Sequence, residues 1–429
     1  MDVFHNKKVS QGHKREKAVV YALGECWKEY ADIIMEIYDV IACSDRDEKA
    51  SAYSRGKSFI NPNQISSILY DKIILGCSHN GVREIIAIQY GLPVEKIFYC
   101  DEVLKKNTLR RKGNKKRHSE RLTVVIPTYN REQRLKRTLD ILEIQSDVNF
   151  DIIILDNCSN YDVAQVLDKR KDEFKGRVKI VYNKTNIGMA LNLANAFIQK
   201  MDGWVWMLTD DDIPSVYAVE DIYEEIEHCH RIGVIHFSIC EWDRYMDHGY
   251  KDFKSLHELM EFYQNSTIDW QNIHSYSGDF IYFSNKVYNM KYVQAYYEKI
   301  FFYAYSSVPQ LVPLLFMLNE ESSGVRISNK KIVIYDTAAG DHWDWIKTMS
   351  GMRIISDFPL DLDIGERKTL YRVIMGTDMD ILIKSINKSD MEFDIRQIEK
   401  IYDEIYQYSL NEEERHAYQS KIRELKETI

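Results

Sequence analysis

Residues 204–214 read WVWMLTDDDIP, in which five apolar residues are followed by Thr209 and then by three successive aspartates. The short apolar run predicts a buried β-strand. The three carboxylates at its end repel one another, and burial beside the strand adds to the cost of their charge. A helix cap needs only one of them, whereas Mg²⁺ or Mn²⁺ prefers such oxygen ligands together with substrate phosphates. The stretch therefore predicts a metal site at a strand end, in preference to an acidic loop.

Strand and helix patterns alternate in the sequence that precedes this stretch. The predicted strands are 122–127, 151–155, 178–182 and 204–208, and the predicted helices are 132–145, 163–171 and 189–201. This alternation predicts an open, mostly parallel sheet with helices on its faces. Ligands of such sheets bind beyond the carboxyl ends of the strands, so the residues after each strand are the candidates for a binding site.

The first of these strands ends in the motif PTYNR. Pro127 interrupts ladder pairing and turns the chain. Thr128 and Tyr129 then offer a hydroxyl and an aromatic face to a nucleoside, and Arg131 lies at the start of the following helix. The motif also fits a simple strand-to-helix turn in which Asn130 caps the helix.

Polar residues also follow the second and third strands. Asp156, in LDNCS, can accept a hydrogen bond from a base N–H, and Asn157 can cap the following turn. In NKTNIGMALN, Gly188 permits a tight turn and a close approach of the backbone, and Asn192 faces back from the first turns of the next helix. Each motif alone fits a turn or a helix cap, but the four strand ends together suit one ligand, a nucleoside diphosphate-sugar.

In this order, the motifs P-T-Y-N-R, L-D-N-x-S, N-x-G-x-x-x-N and T-D-D-D resemble those of family 2 glycosyltransferases with the GT-A fold, of the bacterial polysaccharide-biosynthesis type. The likeness covers residues 121–234. The resemblance implies that Asp156 contacts the uracil ring or its equivalent. It implies that Asp210 and Asp211 hold the ribose and the metal–diphosphate, and that Thr128 and Tyr129 line the nucleotide pocket.

The resemblance implies a glycosyltransferase of the hexosyltransferase type, which moves a sugar from a nucleotide-diphosphate donor, expected to be a UDP-sugar. The acceptor is a glycan or a polyprenyl-diphosphate-linked glycan of surface polysaccharide or capsule, and inversion at the anomeric carbon is expected. Mn²⁺ or Mg²⁺ is the implied cofactor, with Asp211 and Asp212 as ligands. The predicted donor-binding residues are Pro127, Thr128, Tyr129, Arg131, Asp156, Asn157, Gly188, Asn192, Asp210 and Asp211. An inactive nucleotide-sugar-binding scaffold of a polysaccharide assembly complex is the alternative, because no catalytic base is identified with certainty.

Two residues downstream complete the predicted site. Asp279, in SGDF before an apolar run predicted to be a strand over 281–283, is the first candidate for the base that takes the acceptor's proton. It fits a turn residue opening that strand equally well. The pair Glu220-Asp221 follows the triplet too closely and is predicted to lie in the next helix. His342, in GDHWDW, is the candidate distant metal ligand, or else it simply packs between its neighbours.

The N-terminal part of the chain predicts a small α/β domain of its own, because strand and helix patterns alternate there as well. It resembles the degenerate Rossmann-like domains attached to some bacterial polysaccharide enzymes. A dinucleotide fingerprint needs G-x-G-x-x-G after the first strand, but the turn here reads LGECW. Glu25 would repel phosphate and Trp27 would crowd it, which predicts an accessory role. The predicted divisions are a Rossmann-like domain over 1–104, a basic linker over 105–120, a GT-A domain over 121–357 and a helical region over 358–429.

Bulk properties narrow the expected partners and location. The net charge of −9 gives no reason to expect nucleic acid. The seven scattered cysteines fit a reducing cytoplasm, and neither a signal-type leader nor an 18-residue apolar stretch is evident. From Lys105 to Arg121 the chain carries nine Lys and Arg and one Glu. This run is interpreted as a solvated linker or as a patch that meets anionic lipid or an acceptor pyrophosphate, which would place the protein peripherally at the inner face of the membrane.

Overall fold

The computed structural model describes residues 15–77, 82–100, 102–104, 118–168, 170–199, 201–237, 249–265, 280–334, 344–376 and 379–427. The chain divides into two compact units, residues 1–112 and residues 113–429. Most of the predicted basic linker lies outside the described residues.

The first unit contains a five-stranded parallel sheet with the strand order β3-β2-β1-β4-β5. The strands are β1 (Lys17–Tyr21), β2 (Asp39–Ser44), β3 (Ser58–Ile60), β4 (Lys72–Leu75) and β5 (Ile97–Tyr99), and the helices are α1 (Glu25–Ile37) and α2 (Val82–Tyr90). This confirms the predicted Rossmann-like domain. Strand β3 was not predicted, since it is a short edge strand without a buried residue and so lacks a strong apolar signal.

Protein groups fill the place where a dinucleotide-binding domain receives phosphate. The side chain of Trp27, in the first turn of α1, is fully buried and donates a hydrogen bond to the carbonyl of Tyr53 at 2.7 Å. Its backbone N–H donates to the carbonyl of Gly76 at 3.1 Å. Asp45, at the end of β2, accepts a hydrogen bond from the backbone N–H of Leu23 at 2.7 Å. The accessory role of the first unit stays a prediction.

The second unit is built on an eight-stranded mixed sheet with the order β12-β14-β11-β13-β9-β6-β7-β8. Its strands are β6 (Leu122–Thr128), β7 (Asp151–Asp156), β8 (Val178–Tyr182), β9 (Trp204–Met207), β11 (Ile232–Phe237), β12 (Tyr250–Phe253), β13 (Lys286–Asn289) and β14 (Gly324–Ser328). A separate antiparallel pair joins β10 (Ile213–Pro214) to β15 (Val333–Ile334). Strands β9, β6, β7 and β8 are mutually parallel, as the alternation of strand and helix predicted.

One predicted strand is wrong. Residues 281–283 do not form a strand, and the sheet is instead continued by β13, which pairs antiparallel with both β9 and β11. The apolar run is followed by a turn in which the Ser284 carbonyl accepts a hydrogen bond from Trp206 Nε1 at 2.7 Å. This contact fixes the turn beside β9, so the strand begins only after it.

The helices of the second unit are α3 (Glu132–Glu143), α4 (Asp172–Lys175), α5 (Met189–Ala196), α6 (Ala218–Glu227), α7 (Leu256–Asn265), α8 (Met290–Val293), α9 (Tyr297–Phe302), α10 (Leu311–Asn319), α11 (Trp345–Met352), α12 (Ile364–Met375), α13 (Asp380–Lys384), α14 (Met391–Ile401), α15 (Gln407–Ser409) and α16 (Glu412–Lys426). The single helix predicted over 163–171 is instead a 3₁₀ turn, Val163–Leu167, followed by α4. Asp162 caps the 3₁₀ turn, and Lys171 has an extended backbone that separates it from α4.

The helical C-terminal region is confirmed, and it shares a hydrophobic core with the sheet. That core includes Val125 and Met207 from the sheet together with Ile398 and Ile405 from the helical region. The predicted division near residue 357 is therefore crossed by a continuous core. Among the described helices, none combines the length and the apolar character needed to cross a membrane.

Candidate active site

The structure brings the first and fourth strand-end motifs together. Strands β6 and β9 are parallel neighbours, so the residues that follow them emerge at the same edge of the sheet. The hydroxyl of Thr128 donates a hydrogen bond to Asp210 Oδ2 at 2.6 Å. The hydroxyl of Thr138, on α3, donates to the carbonyls of Asp210 and Asp212 at 3.0 and 3.2 Å. These bonds hold the acidic triplet against the first motif.

Two arginines face the first two carboxylates of the triplet. Arg131 Nη1 lies 3.0 Å from Asp210 Oδ1 and 2.7 Å from Asp211 Oδ2. Arg134 Nη1 lies 3.2 Å from the same Asp211 oxygen. Arg134 was missed in the sequence, although its position three residues after Arg131 on a helix places both on one face. Its role depends on that helix crossing the ends of two strands, which the sequence does not specify.

The third carboxylate has different surroundings. The side chain of Asp212 is buried and accepts hydrogen bonds from the hydroxyls of Thr209 (2.5 Å), Tyr282 and Ser284. Burial and the neighbouring Asp211 carboxylate raise the pKa of Asp212 to about 7, although the three hydroxyl donors oppose the shift. Asp212 thus joins the triplet to the turn before β13, and its role as a metal ligand stays a prediction.

Burial also raises the pKa of Asp210, to about 6, while the positive charge of Arg131 opposes the shift. Asp210 is 2% exposed. The side chain of Asp211 is 10% exposed, and Asp211 is the one residue of the triplet that is not buried. Asp211 is therefore the carboxylate of the triplet that is best placed to meet a ligand from solvent.

The second motif forms a tight turn against the first. The carboxylate of Asp156 accepts a hydrogen bond from the backbone N–H of Ser159 at 3.0 Å, and the backbone N–H of Asn130 donates to Ser159 Oγ at 2.9 Å. Asn130 and Cys158 both have positive φ, of 55° and 69°. Tyr129 is 42% exposed at this edge. Tyr129 is thus available to a nucleoside, and the contact of Asp156 with a base stays a prediction.

An amide network joins the second motif to the third. Asn157 is buried and donates to Asn186 Oδ1 at 2.8 Å, and its own Oδ1 accepts from the backbone N–H of Ile187 at 3.0 Å. Asn183 donates to Asn157 Oδ1 at 3.1 Å and to Asn192 Oδ1 at 2.8 Å. Asn157 and Asn192 therefore shape the loop between β8 and α5, and their predicted contact with the donor is not tested.

Gly188 stands at the end of that loop with φ of +82°, directly before α5. This backbone conformation favours glycine, as the sequence indicated. The side-chain space beside it is open, since a Cβ built there would meet no atom within 4 Å. The loop can therefore be approached closely by a ligand.

Replacing Asn157 by alanine should destabilise the second unit, because it leaves buried amide groups of the loop without partners. The free energy of unfolding should fall by about 1–3 kcal/mol, measured by urea denaturation. Asn160→Ala is the control, since Asn160 is exposed in the same turn and its replacement should change stability by less than about 0.5 kcal/mol. Equal stability of the two variants would contradict the structural role of the network.

The remaining predicted residues divide into two groups. Glu220 and Asp221 lie in the first turn of α6, as predicted, and Glu220 accepts a hydrogen bond from Ser146 at 2.9 Å. Asp279 and His342, the candidate base and the candidate distant metal ligand, lie outside the described residues. Within the described part of the chain, no cluster of three or more His, Cys, Asp and Glu side chains is arranged to hold a metal.

A divalent cation nevertheless fits the first two carboxylates. One guanidinium nitrogen already contacts an oxygen of each, Asp210 Oδ1 and Asp211 Oδ2, so both oxygens face a single point that accommodates positive charge. In proteins, Mg²⁺ is commonly bound by two carboxylates, and substrate phosphates and water complete its coordination. Asp210 and Asp211 would hold such an ion here, without needing a third described protein ligand.

Part of the chain is similar to known proteins. Residues 123–290 match the family model described as Glycosyl transferase family 2. An uncharacterized glycosyltransferase of Haemophilus influenzae is 29% identical over 121 residues, which are 28% of this chain and 40% of that protein. The poly(ribitol-phosphate) beta-N-acetylglucosaminyltransferase TarP of Staphylococcus aureus is 29% identical over 107 residues, 24% of this chain and 32% of that protein. The chain thus spans less than half the length of these two relatives.

Among solved structures, S. aureus TarS 1-349 in complex with UDP-GlcNAc has a TM-score of 0.45 and 15% sequence identity, covering 66% of this chain and 81% of that chain. The parallel strands β6 to β9 and the helices beside them agree with the predicted GT-A fold. The match over residues 123–290 shows that this segment of the chain is similar to family 2 of the glycosyltransferases. The family resemblance read from the four motifs is confirmed.

Proposed function

We propose that the protein is a metal-dependent, inverting glycosyltransferase. It moves a sugar from a nucleotide-diphosphate donor, which we expect to be a UDP-sugar, to a glycan or lipid-linked acceptor of surface polysaccharide. The observation that carries the proposal is the edge of the sheet where Thr128, Asp210 and Asp211 meet beside the exposed ring of Tyr129. A nucleoside and a diphosphate can bind side by side at such an edge.

In this proposal each part of the edge has one task. The nucleoside lies against Tyr129 and Thr128, with its base near Asp156. The diphosphate would lie over Asp210 and Asp211, whose carboxylates would hold Mn²⁺ or Mg²⁺. A bound divalent cation would supply charge stabilisation for the leaving diphosphate. Asp279 is proposed as the base that accepts the proton of the attacking acceptor hydroxyl.

Two exposed aromatic side chains support an acceptor with an apolar part. Phe302, at the end of α9, is 76% exposed, and Tyr305, in the following 3₁₀ turn, is 71% exposed. Aromatic rings at a surface suit sugar rings and the boundary between lipid and water. We propose that they contact a polyprenyl-linked acceptor at the cytoplasmic face of a membrane. We propose separately that the basic run after Lys105 meets anionic lipid. TarP, named for an acetylglucosamine transfer to poly(ribitol-phosphate), makes an anionic glycan a second acceptor to examine.

A thermal-shift screen of nucleotide-sugars tests the donor half of the proposal. A ligand that binds only the folded protein raises its apparent stability, by about 2.7 kcal/mol at a hundredfold excess over Kd. With Mn²⁺ present, UDP-GlcNAc and other UDP-sugars should raise the melting temperature more than GDP- or CDP-sugars. If no nucleotide-sugar shifts the melting temperature, the proposed activity is wrong. If a donor binds but is never consumed with any acceptor, the inactive scaffold is supported instead.

A further inference from the structure

The two arginines beside the acidic triplet lie on its solvent side. The side chains of Arg131 and Arg134 are 38% and 24% exposed, whereas those of Asp210 and Asp211 are 3% and 10% exposed. Three N–O distances of 3.2 Å or less join the two cations to the two carboxylates. The charge of the carboxylates is therefore already neutralised from the direction in which a ligand arrives.

The position of Arg131 conflicts with that of a bound cation. Its Nη1 contacts Asp210 Oδ1 and Asp211 Oδ2, the same oxygens that face the point where a divalent ion would bind. Ions such as Mg²⁺ bind carboxylate oxygens at about 2.0–2.1 Å. A guanidinium within hydrogen-bond distance of the same oxygens would repel the ion strongly. Arg131 and the ion are thus alternatives at one place.

We infer that Arg131, assisted by Arg134, is an internal counter-ion that excludes the metal until a diphosphate draws the arginines away. The inference rests on the proposed function, since it assumes that a nucleoside diphosphate binds at this edge. Planar guanidinium groups bind phosphate oxygens in a forked geometry, so the donor offers the displaced arginines a new partner. Metal and diphosphate then bind with positive coupling, and each increases the affinity for the other by the same factor.

The test measures Mn²⁺ affinity without any turnover. Free Mn²⁺ is followed by electron paramagnetic resonance as it is titrated into the protein, with and without UDP, and a titration of UDP alone corrects for the ion that UDP binds in solution. The wild-type protein should bind Mn²⁺ weakly by itself and at least about fivefold more tightly with UDP. Arg131→Gln should bind Mn²⁺ alone at least about fivefold more tightly than wild type, and UDP should increase its affinity less.

Two further variants protect the test against loss of folding. Arg134→Gln removes only the longer contact and should raise the affinity for Mn²⁺ alone by a smaller factor. Lys136→Gln removes the same charge from an exposed position of α3 and should match wild type. Circular dichroism melts identify any variant that does not fold.

The outcomes separate this inference from the proposed function. If neither arginine variant binds Mn²⁺ alone more tightly than wild type, while UDP still increases the wild-type affinity, the counter-ion role is overturned and the proposed metal site stands. If no protein binds Mn²⁺ with or without UDP, both the counter-ion role and the proposed metal dependence are overturned.

Discussion

Asp211→Asn should lower the rate of sugar transfer by about a thousandfold or more. Asp211 is the most accessible carboxylate of the triplet, and its Oδ2 contacts both arginines. A bound metal contributes several kcal/mol of charge stabilisation to a leaving group, and each 1.4 kcal/mol or so is a tenfold change in rate. Asparagine keeps the size of the side chain but removes the charge that holds the ion. The measurement is nucleotide release from the best donor of the thermal-shift screen, with Mn²⁺ in excess.

Asp172→Asn is the matched control for this variant. Asp172 allows the same chemical change at a fully exposed side chain, whose Oδ1 lies 3.7 Å from Lys175 Nζ. Its activity should equal that of wild type. If Asp211→Asn retains wild-type activity, the carboxylate does not hold a catalytic metal and the proposed mechanism fails.

Asp212→Asn should change how stability depends on pH. Burial raises the pKa of Asp212 from 3.8 to about 7 in the folded protein, so the folded protein binds this proton more tightly than the unfolded chain. Between pH 4 and 7 the folded state therefore carries more protons, and the free energy of unfolding falls as pH rises. The stability that the protonated Asp212 contributes is fully present below pH 4 and is lost by about pH 7. In total it is on the order of a few kcal/mol in the free energy of unfolding.

Asparagine at position 212 mimics the neutral carboxyl group at every pH. The hydroxyls of Thr209, Tyr282 and Ser284 can each donate or accept a hydrogen bond, so they can pair with the amide. The variant should gain stability relative to wild type as pH rises from 5 to 8, measured by urea unfolding in EDTA. Asp172 is exposed in the same unit, so the free energy of unfolding of Asp172→Asn should depend on pH in the same way as that of wild type. A constant difference between Asp212→Asn and wild type over this range would show that Asp212 does not titrate between pH 5 and 8, which would contradict the raised pKa.

Much of the fold can be predicted from local patterns. The parallel strands β6 to β9 are short apolar runs separated by helices, and their order in the chain fixes which strand ends carry polar residues. The missing dinucleotide fingerprint of the first unit can also be predicted, because Cys26 stands where the second glycine is needed and the bulky Trp27 follows it. The parallel strands and the turn of the first unit both depend on residues that are close together in the sequence.

The parts that could not be predicted depend on residues that are distant in sequence. The hydroxyls around Asp212 come from Thr209, which is close in sequence, and from Tyr282 and Ser284, which lie 70 and 72 residues after Asp212. The strand expected at 281–283 begins after that turn instead, because contacts with β9 fix it. The position of Arg134 likewise depends on how α3 crosses the strand ends. Such contacts leave no periodic signal in the sequence.

The central claim is that a nucleoside diphosphate and a divalent metal bind together at Asp210 and Asp211. Calorimetric titration tests it most directly, with UDP, GDP and CDP added to the wild-type protein in Mn²⁺ and then in EDTA. One of these nucleotides, expected to be UDP, should bind in Mn²⁺, and its affinity should fall at least about tenfold both in EDTA and in Asp211→Asn. Equal affinity in Mn²⁺ and EDTA, unchanged by Asp211→Asn, would contradict the claim.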